Sequence, residues 1–171
     1  KMTEEFRAEE LIFVLKKIGL NLTAQMEADL KYKNMSGSQI YFMVYILRHH
    51  PQGTYLTELC HEMGVSKSTL STLIKKLRKE GYISFREDPD DIRKKELLPT
   101  PKLIEEGNRF LSRAARMESE ICGALDQAER VQLWKLAGKL LKYFSRTEQS
   151  YLNKDRRLPY SEKSFTAARS L

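Results

Sequence analysis

The sequence has few cysteines and no long apolar run. Two cysteines among 171 residues are too few for a disulfide framework, so both thiols are expected to be reduced. No stretch approaches the roughly 20 apolar residues that a membrane-spanning helix needs. The opening KMTEEFRAEE lacks the apolar core of a secretion signal. These absences predict a cytoplasmic protein that does not associate with a membrane.

The usual signatures of catalysis and of metal binding are also missing. There is no glycine-rich phosphate loop, no nucleophile elbow and no carboxylate pair in a recognisable setting. The histidines occur in the adjacent pairs His49-His50 and Cys60-His61, whose side chains diverge on a helix instead of converging on one ion. The sequence therefore predicts a protein that is not an enzyme and has no catalytic residues, metal ligands or cofactor.

Acidic residues are absent from one strongly basic segment. The chain carries a net charge of +7 and has a pI near 9.4, yet Ser66–Lys79 contains no acid. Its cations are Lys67, Lys75, Lys76, Arg78 and Lys79. A run of charges is often only a solvated helix face, but on a helix that enters a groove it favours nucleic-acid binding.

This segment belongs to a predicted helix-turn-helix over Thr57–Lys79. Small Cys60 stands four residues before Gly64, and apolar Leu70 stands six residues after that glycine. The spacing provides a small side chain where two helices cross, a glycine that can adopt a positive φ, and apolar residues on both sides of the contact. The pattern predicts that the second, basic helix is a DNA-recognition helix.

Apolar residues at helical spacing predict the other helices. A long first helix is expected over Thr3–Leu30. A nearly all-apolar central helix is expected over Gln39–His49, after a capping box formed by Ser36 and Gln39. Further helix starts are predicted at Thr100-Pro101 and at the capping pair Asp126 and Glu129.

Two strands are predicted directly after the recognition helix. Glu80-Gly81 has the composition of a helix end, with glycine just beyond the last turn. Tyr82–Arg86 and Lys94–Leu98 then alternate in polarity on either side of a polar turn. A hairpin at this position is the wing of a winged helix.

The two-helix segment and the wing resemble the MarR family of winged-helix transcription regulators. The resemblance covers roughly Phe6 to Tyr151 and is most specific in LTELCHEMGVSKSTLSTLIKKLRKEGYI and DPDDIRKKELLPT. The second stretch matches the family's wing signature, an Asp-x-Arg followed by a strand ending in Leu-Thr. Asp91 and Arg93 stand at the two charged positions of that signature.

The sequence departs from the family pattern at three positions. Ile92 replaces a commonly basic residue, Pro99 replaces the leucine before Thr100, and Leu103 stands where a glycine often follows. Because proline has no N–H to donate to a strand partner, we expect the second strand of the wing to end early.

The resemblance implies a mostly α fold, a winged helix-turn-helix domain with a helical dimerisation region formed by the N- and C-terminal helices. It further implies a homodimer that binds a pseudo-palindromic operator in double-stranded DNA. Residues 1–171 are then a single domain. Its parts are the dimerisation helices at 1–35 and 124–152, the winged helix-turn-helix core at 36–100, a connecting helix at 101–123 and a polar tail at 153–171.

Contacts to DNA are expected from the recognition helix and from the wing. Short or flexible donors near the start of the helix can reach base edges or phosphates, namely Ser66, Lys67, Ser68, Thr69, Ser71 and Thr72. Lys75 and Lys76 lie further along and are expected at phosphates. In the wing, Arg93 and its neighbour Lys94 are expected at the minor groove, where the negative potential favours a guanidinium.

A ligand or a thiol could supply a signal. Many relatives carry an effector pocket between the dimerisation helices and the winged domain. Tyr41, Tyr45 and Arg48 are the candidates here, with Arg48 as partner of an acid's carboxylate, although ordinary core packing is the favoured interpretation. Cys60 is expected to be inert through burial, whereas Cys122 ends a helix beside Gly123 and could be exposed.

The sequence as a whole predicts a sequence-specific DNA-binding transcription regulator, in this family most often a repressor, whose operator occupancy changes with a small-molecule effector. The alternative is a winged-helix protein-interaction module whose basic helix faces an acidic partner. Retention on duplex DNA that falls steeply with salt distinguishes the first from the second.

Overall fold

The computed structural model describes residues 5–91 and 94–155, and for residues 147–155 it describes the helical backbone only. Helices dominate, and three short strands form one antiparallel sheet. In chain order the elements are α1 Ala8–Leu30, α2 Gly37–His49, β1 Thr54–Tyr55, α3 Leu56–Met63, α4 Lys67–Lys79, β2 Ile83–Glu87, β3 Lys95–Pro99, α5 Pro101–Cys122 and α6 Gln127–Asp155. This is the mostly α, winged-helix order that the sequence predicts. Two compact units result, one ending at Ile121 and one starting at Cys122.

The core of the first unit is built around α2. Five apolar side chains of this helix are buried, which confirms its prediction as the central element; they are Ile40, Phe42, Met43, Val44 and Ile46. Residues from α3, α4, the sheet and α5 complete the same cluster, among them Leu59, Leu70, Leu97 and Phe110. The helix-turn-helix is therefore attached to a rigid apolar core.

The start of α2 packs closely against α1. The predicted capping box is present, because Ser36 Oγ accepts from the Gln39 N–H at 3.1 Å and the Gln39 side chain accepts from the Ser36 N–H at 2.9 Å. Glu27 of α1 accepts from the Ser38 N–H at 3.1 Å. Backbone donors from Ser38 and Gly37 hold the pKa of Glu27 below its ordinary value. The carboxylate thus serves as the anion at the N-terminus of α2.

The first helix begins later than its apolar pattern predicts. The prediction began at Thr3, but α1 begins at Ala8, after Arg7 in extended conformation with φ −122°. No side chain caps this end. Apolar periodicity shows which residues share a helix face, but it does not show where the helix begins when no capping residue marks its N-terminus.

The chain leaves α4 through a left-handed turn and enters the sheet. Gly81 has φ 81°, the Tyr82 N–H donates to Leu77 O, and the Gly81 N–H donates to Arg78 O, both at 3.0 Å. This is a Schellman motif, with glycine where its sequence position predicts it. The strand order is β1-β3-β2, so β3 lies in the centre of the sheet.

Pro99 does not shorten the wing, and the expectation that it would is wrong. β3 runs through Pro99, which pairs with Ile83 of β2. The Thr100 N–H donates to Tyr82 O at 3.1 Å. Because hydrogen-bonded and non-hydrogen-bonded pairs alternate in an antiparallel ladder, the nitrogen of Pro99 faces away from β2. β1 begins at Thr54, which pairs with Leu97, so no residue of β1 lies opposite Pro99 and no hydrogen bond between strands is lost there.

The last two helices start at the predicted caps. The Leu103 N–H donates to Thr100 Oγ1 at 3.3 Å, and Asp126 and Glu129 exchange reciprocal bonds at 2.8 and 2.9 Å. One face of α5 is buried, formed by Leu103, Gly107, Phe110, Ala114 and Met117. α6 continues to Asp155, past the start of the predicted polar tail, and the rest of that tail lies outside the described residues. Within the described part of the chain, no helix combines the length and apolarity needed to cross a membrane.

Candidate nucleic-acid interface

The helix-turn-helix has the local geometry that its sequence predicts. α3 ends at Gly64, which has φ 65° and donates its N–H to Cys60 O at 3.0 Å. Leu59 of α3 and Leu70 of α4 are both buried, so the two helices share the apolar core. Cys60 is half-buried, and desolvation raises the pKa of its thiol. A thiol in this state is a packing group and a poor nucleophile.

The recognition helix α4 has one buried and one exposed face. Leu70, Ile74 and Leu77 are buried. Most of the predicted contact residues are exposed, namely Ser66, Lys67, Ser68, Thr69, Thr72, Lys75 and Lys76, whereas Ser71 is only partly exposed. The exposed face carries no acidic side chain and points away from the core. Such a face is suited to a polyanion.

Several hydroxyls on this face already have local partners. Ser66 Oγ accepts from the Thr69 N–H at 3.2 Å and lies 2.8 Å from Thr69 Oγ1. Thr72 donates its hydroxyl to Ser68 O at 3.0 Å. A hydroxyl that already donates a hydrogen bond within its own helix can still accept one, but it has no proton left to donate to a ligand. Lys67, at the first helical position, therefore remains the most available donor near the N-terminal end of α4.

The wing is a short hairpin with charged side chains on its outer face. Arg86 of β2 and Glu96 of β3 stand directly opposite each other and form a salt bridge of 2.5 Å. At the turn, Asp88 accepts from the Asp90 N–H at 2.9 Å, and these backbone bonds hold the pKa of Asp88 below its ordinary value. Lys94 is exposed. The predicted minor-groove residue Arg93 lies outside the described residues.

A cleft beside α4 is the feature of this surface that sequence reasoning missed. It has a volume of about 900 Å³ and lies between α4 and the turn that connects α1 to α2. We call it the cationic cleft. Its lining includes Lys31, Lys33 and Asn34 from the turn, Lys75, Lys76 and Lys79 from α4, and the acids Glu27 and Glu80. The sequence shows residues 31–35 only as a polar link, so nothing in it indicated that these lysines face α4.

The three predicted effector residues separate into two clusters. Tyr41 donates its hydroxyl to Glu118 of α5 at 2.8 Å, and Arg48 forms a two-pronged ion pair with the same carboxylate at 2.7 and 2.9 Å. Burial, reinforced by the Glu118 bond, raises the pKa of Tyr41 to about 12. The carboxylate that Arg48 binds in this structure is therefore one of the chain's own.

Tyr45 belongs to the second cluster. Its hydroxyl donates to Glu62 of α3 at 2.5 Å, and His50 Nε2 lies 2.7 Å from the same oxygen of Glu62. Burial is the main reason that the pKa of Tyr45 rises to about 12. This cluster joins the end of α2 to the first helix of the helix-turn-helix, whereas Tyr41 and Arg48 join α2 to α5.

Replacing Glu118 with glutamine tests the first cluster through its pH dependence. Arg48 is the main cause of the lowered pKa of Glu118. The stabilisation is therefore complete above the unfolded carboxyl pKa of about 4.3 and is lost as pH falls through the lower folded value. We expect Glu118→Gln to lower the free energy of unfolding by about 1 kcal/mol near neutral pH, a modest effect because 34% of each side chain is exposed.

The measurement is urea unfolding of parent and variant across the acid range. Their unfolding free energies should converge as pH falls, since protonation removes the charge that the variant lacks. A gap that stays constant with pH would show that the Glu118 charge contributes nothing.

Nothing in the described part of the chain groups three or more histidine, cysteine, aspartate or glutamate side chains where they would hold a metal ion. Cys122, at the end of α5, is exposed. The basic helix α4, the wing and the cleft beside them together form a winged-helix surface suited to a nucleic acid.

Comparison with known protein families gives a match to the central part of the chain. Residues 33–94, which span α2, the helix-turn-helix and the first strand of the wing, match the model of the MarR family. A comparison with curated protein sequences found no match. Over these residues the chain is similar to the MarR family of winged-helix transcription regulators, the family that its sequence resembles.

Solved structures share the fold over most of this chain at low sequence identity. A MepR–DNA complex from S. aureus is 20% identical with a TM-score of 0.72, over 82% of this chain and 99% of that chain. PcaV from Streptomyces coelicolor, in complex with its natural ligand, is 16% identical with a TM-score of 0.68, over 82% and 98%. Bordetella bronchiseptica BpsR, whose DNA binding is regulated by 6-hydroxynicotinic acid, is 19% identical with a TM-score of 0.67, over 77% and 98%.

Proposed function

We propose that this protein is a homodimeric repressor that binds a pseudo-palindromic operator, with α4 in the major groove and the wing in the minor groove. The observation that carries the proposal is the exposed, acid-free face of α4, held by a helix-turn-helix whose turn and cap are in place. A helix presented in this way fits the width of the major groove. The DNA complex of S. aureus MepR, a protein of the same fold, supports DNA binding by this fold.

The proposed dimer covers the exposed apolar surface of α1 and α6. All but two of the exposed large apolar side chains of the described residues lie on these two helices. On α1 they are Leu11, Ile12, Phe13, Val14, Leu15, Ile18 and Leu20, and on α6 they are Val131, Leu133, Trp134, Leu136, Leu140, Leu141, Tyr143 and Phe144. Apolar surface on this scale marks an interface. A second copy supplies the same surface, as an isologous contact requires.

Effector control is part of the proposal. BpsR and PcaV indicate that this fold can respond to a small ligand. In this chain an acidic effector at Tyr41 and Arg48 would have to displace Glu118, which both side chains already contact. An effector that does so would separate α5 from the end of α2, and such a change is a means of coupling ligand to DNA-binding geometry.

Selection of duplexes from a random pool tests the DNA-binding proposal. The purified protein should enrich an inverted repeat whose half-sites are one helical turn, about 34 Å, apart, because two recognition helices on one face of a duplex have that spacing. Failure to enrich any repeat, together with retention by an acidic protein surface, would instead support the protein-interaction alternative.

Lys67→Ala should weaken binding to the selected duplex. We expect a loss of about tenfold, with the slope of log affinity against log salt reduced by about 1 if the ammonium meets a phosphate. Arg116→Ala is a matched control, since it also removes one cation but lies on α5, where Arg116 forms an ion pair with Glu120 of the same helix. Equal binding by Lys67→Ala and Arg116→Ala over a salt titration would remove Lys67 from the interface.

A further inference from the structure

The cationic cleft lies beside the recognition helix but is not part of its base-facing end. Thr72, Lys75, Lys76 and Lys79 form one of its walls and follow each other along the exposed side of α4. The opposite wall is the turn between α1 and α2, which carries Lys31, Lys33 and Asn34. A helix that lies in the major groove has a phosphate strand alongside it, and the cleft offers cations from two separate elements at that place.

The charges of the cleft are available to an outside ligand. None of its five lysines takes part in the ion pairs found among the described residues. All five are exposed. Of the two acids in the lining, Glu27 is engaged with the backbone amides at the start of α2. The cleft therefore has a clear excess of positive charge.

Lys33 is held in a strained conformation. Its φ is 51°, and no other non-glycine residue in the described part of the chain has a positive φ. Left-handed backbone is disfavoured for a residue with a Cβ, and glycine would adopt it without strain. Strained residues persist where the surrounding structure over-determines them, often at functional sites. Lysine at this position is thus an unfavourable choice for the turn itself.

The turn is also rigid. Tyr32 and Met35 exchange two backbone hydrogen bonds of 3.2 and 2.9 Å, and Met35 is buried. The Tyr32 hydroxyl accepts from Arg109 at 2.6 Å, and the Tyr32 ring packs edge-on against Phe110 of α5. A cation presented by an anchored turn loses less conformational freedom on binding than one on a mobile loop.

We propose that the cationic cleft is a second phosphodiester-binding site, in which the Lys31–Asn34 turn and the C-terminal half of α4 hold the DNA backbone that flanks the groove entered by α4. This inference rests on the proposed function, because it extends the same DNA interface. It assigns to Lys31 and Lys33 a role that does not depend on base sequence, since phosphate contacts position a protein without reading bases.

Lys33→Gly is the sharpest test, because it removes the cation and relieves the strained backbone at once. We expect the variant to melt at or above the temperature of the parent. Its affinity for both a selected and a random duplex should fall by threefold to tenfold, with a salt slope reduced by about 1. Lys31→Ala combined with Lys33→Gly should reduce the slope by about 2. Arg116→Ala again controls for the loss of one positive charge.

The outcomes separate this inference from the proposed function. If the parent binds duplex DNA and both turn variants bind with unchanged affinity and salt slope, the inference is wrong and the proposed function stands. If the parent itself does not bind duplex DNA, both the proposed function and the inference that rests on it are wrong. A loss confined to one DNA sequence would also overturn the inference, because a phosphate contact must weaken binding to all sequences alike.

Discussion

Replacing Gly37 with alanine is expected to destabilise the protein by about 2–3 kcal/mol, the upper part of the range for an overpacked site. A Cβ at this position would lie 2.1 Å from Met26 O, 2.4 Å from Met26 C and 2.6 Å from Glu27 N. All three are backbone atoms of α1, so no side-chain rotation can relieve the overlap. The end of α1 would have to move away from the start of α2.

That movement would have further consequences. It would break the 3.1 Å bond between Glu27 and the Ser38 N–H, and it would loosen the packing of Leu30, which is fully buried. Because the turn after α1 forms one wall of the cationic cleft, we also expect weaker DNA binding by the folded fraction of the variant. Urea unfolding at several temperatures measures the stability effect directly.

Gly107→Ala is the matched control for this prediction. Gly107 is also a buried glycine in a helix, but a Cβ there would meet only the Leu47 side chain, whose Cδ1 would be 2.8 Å away. The end of a leucine side chain can turn aside, so we expect a cost below about 1 kcal/mol. Similar losses in the two variants would mean that the close approach of α1 and α2 does not limit the size of residue 37.

The second large effect concerns the proposed homodimer. Leu140→Asp places a charge in the apolar surface of α6, and in an isologous interface each substitution is present twice. We expect the variant to sediment as a monomer at concentrations where the parent is a dimer. Its affinity for a two-half-site operator should fall by about a hundredfold or more, since the second half-site contact is no longer linked to the first.

Ile104→Asp provides the control for Leu140→Asp. Ile104 is 60% exposed, compared with 47% for Leu140, but it lies on α5 outside the proposed interface. This variant should keep the assembly state and the operator affinity of the parent. A parent that sediments as a monomer would refute the proposed homodimer. The exposed apolar surfaces of α1 and α6 would then have to be buried by a different partner.

Local sequence signals predicted the parts of the fold that depend on local chemistry. The capping box of Ser36 and Gln39, the positive φ of Gly64 and the proline start of α5 are each determined within four residues, where side-chain and backbone geometry leave few choices. Boundaries without such signals were less well predicted, as the late start of α1 at Ala8 shows. Pro99 was misjudged because its effect depends on which edge of β3 faces a partner strand.

The candidate site was predictable only in part. The basic face of α4 follows from helical periodicity, because residues at steps of three and four share a face wherever the helix is placed. The partner of Arg48 does not follow, since Glu118 lies 70 residues further along the chain and only the packing of α5 against α2 brings the two together. Likewise, nothing in the sequence predicts the hydrogen bond between Tyr45 and Glu62.

The sequence by itself determined a winged helix-turn-helix with a basic second helix, because helix caps, turn glycines and apolar periods are properties of neighbouring residues. Only the tertiary structure decided that Lys31 and Lys33 face Lys75 and Lys76 across one cleft. That arrangement depends on how closely α1 approaches α2 at Gly37 and on how the turn is anchored to α5. Distances between elements remote in sequence arise from packing in three dimensions, which no local pattern encodes.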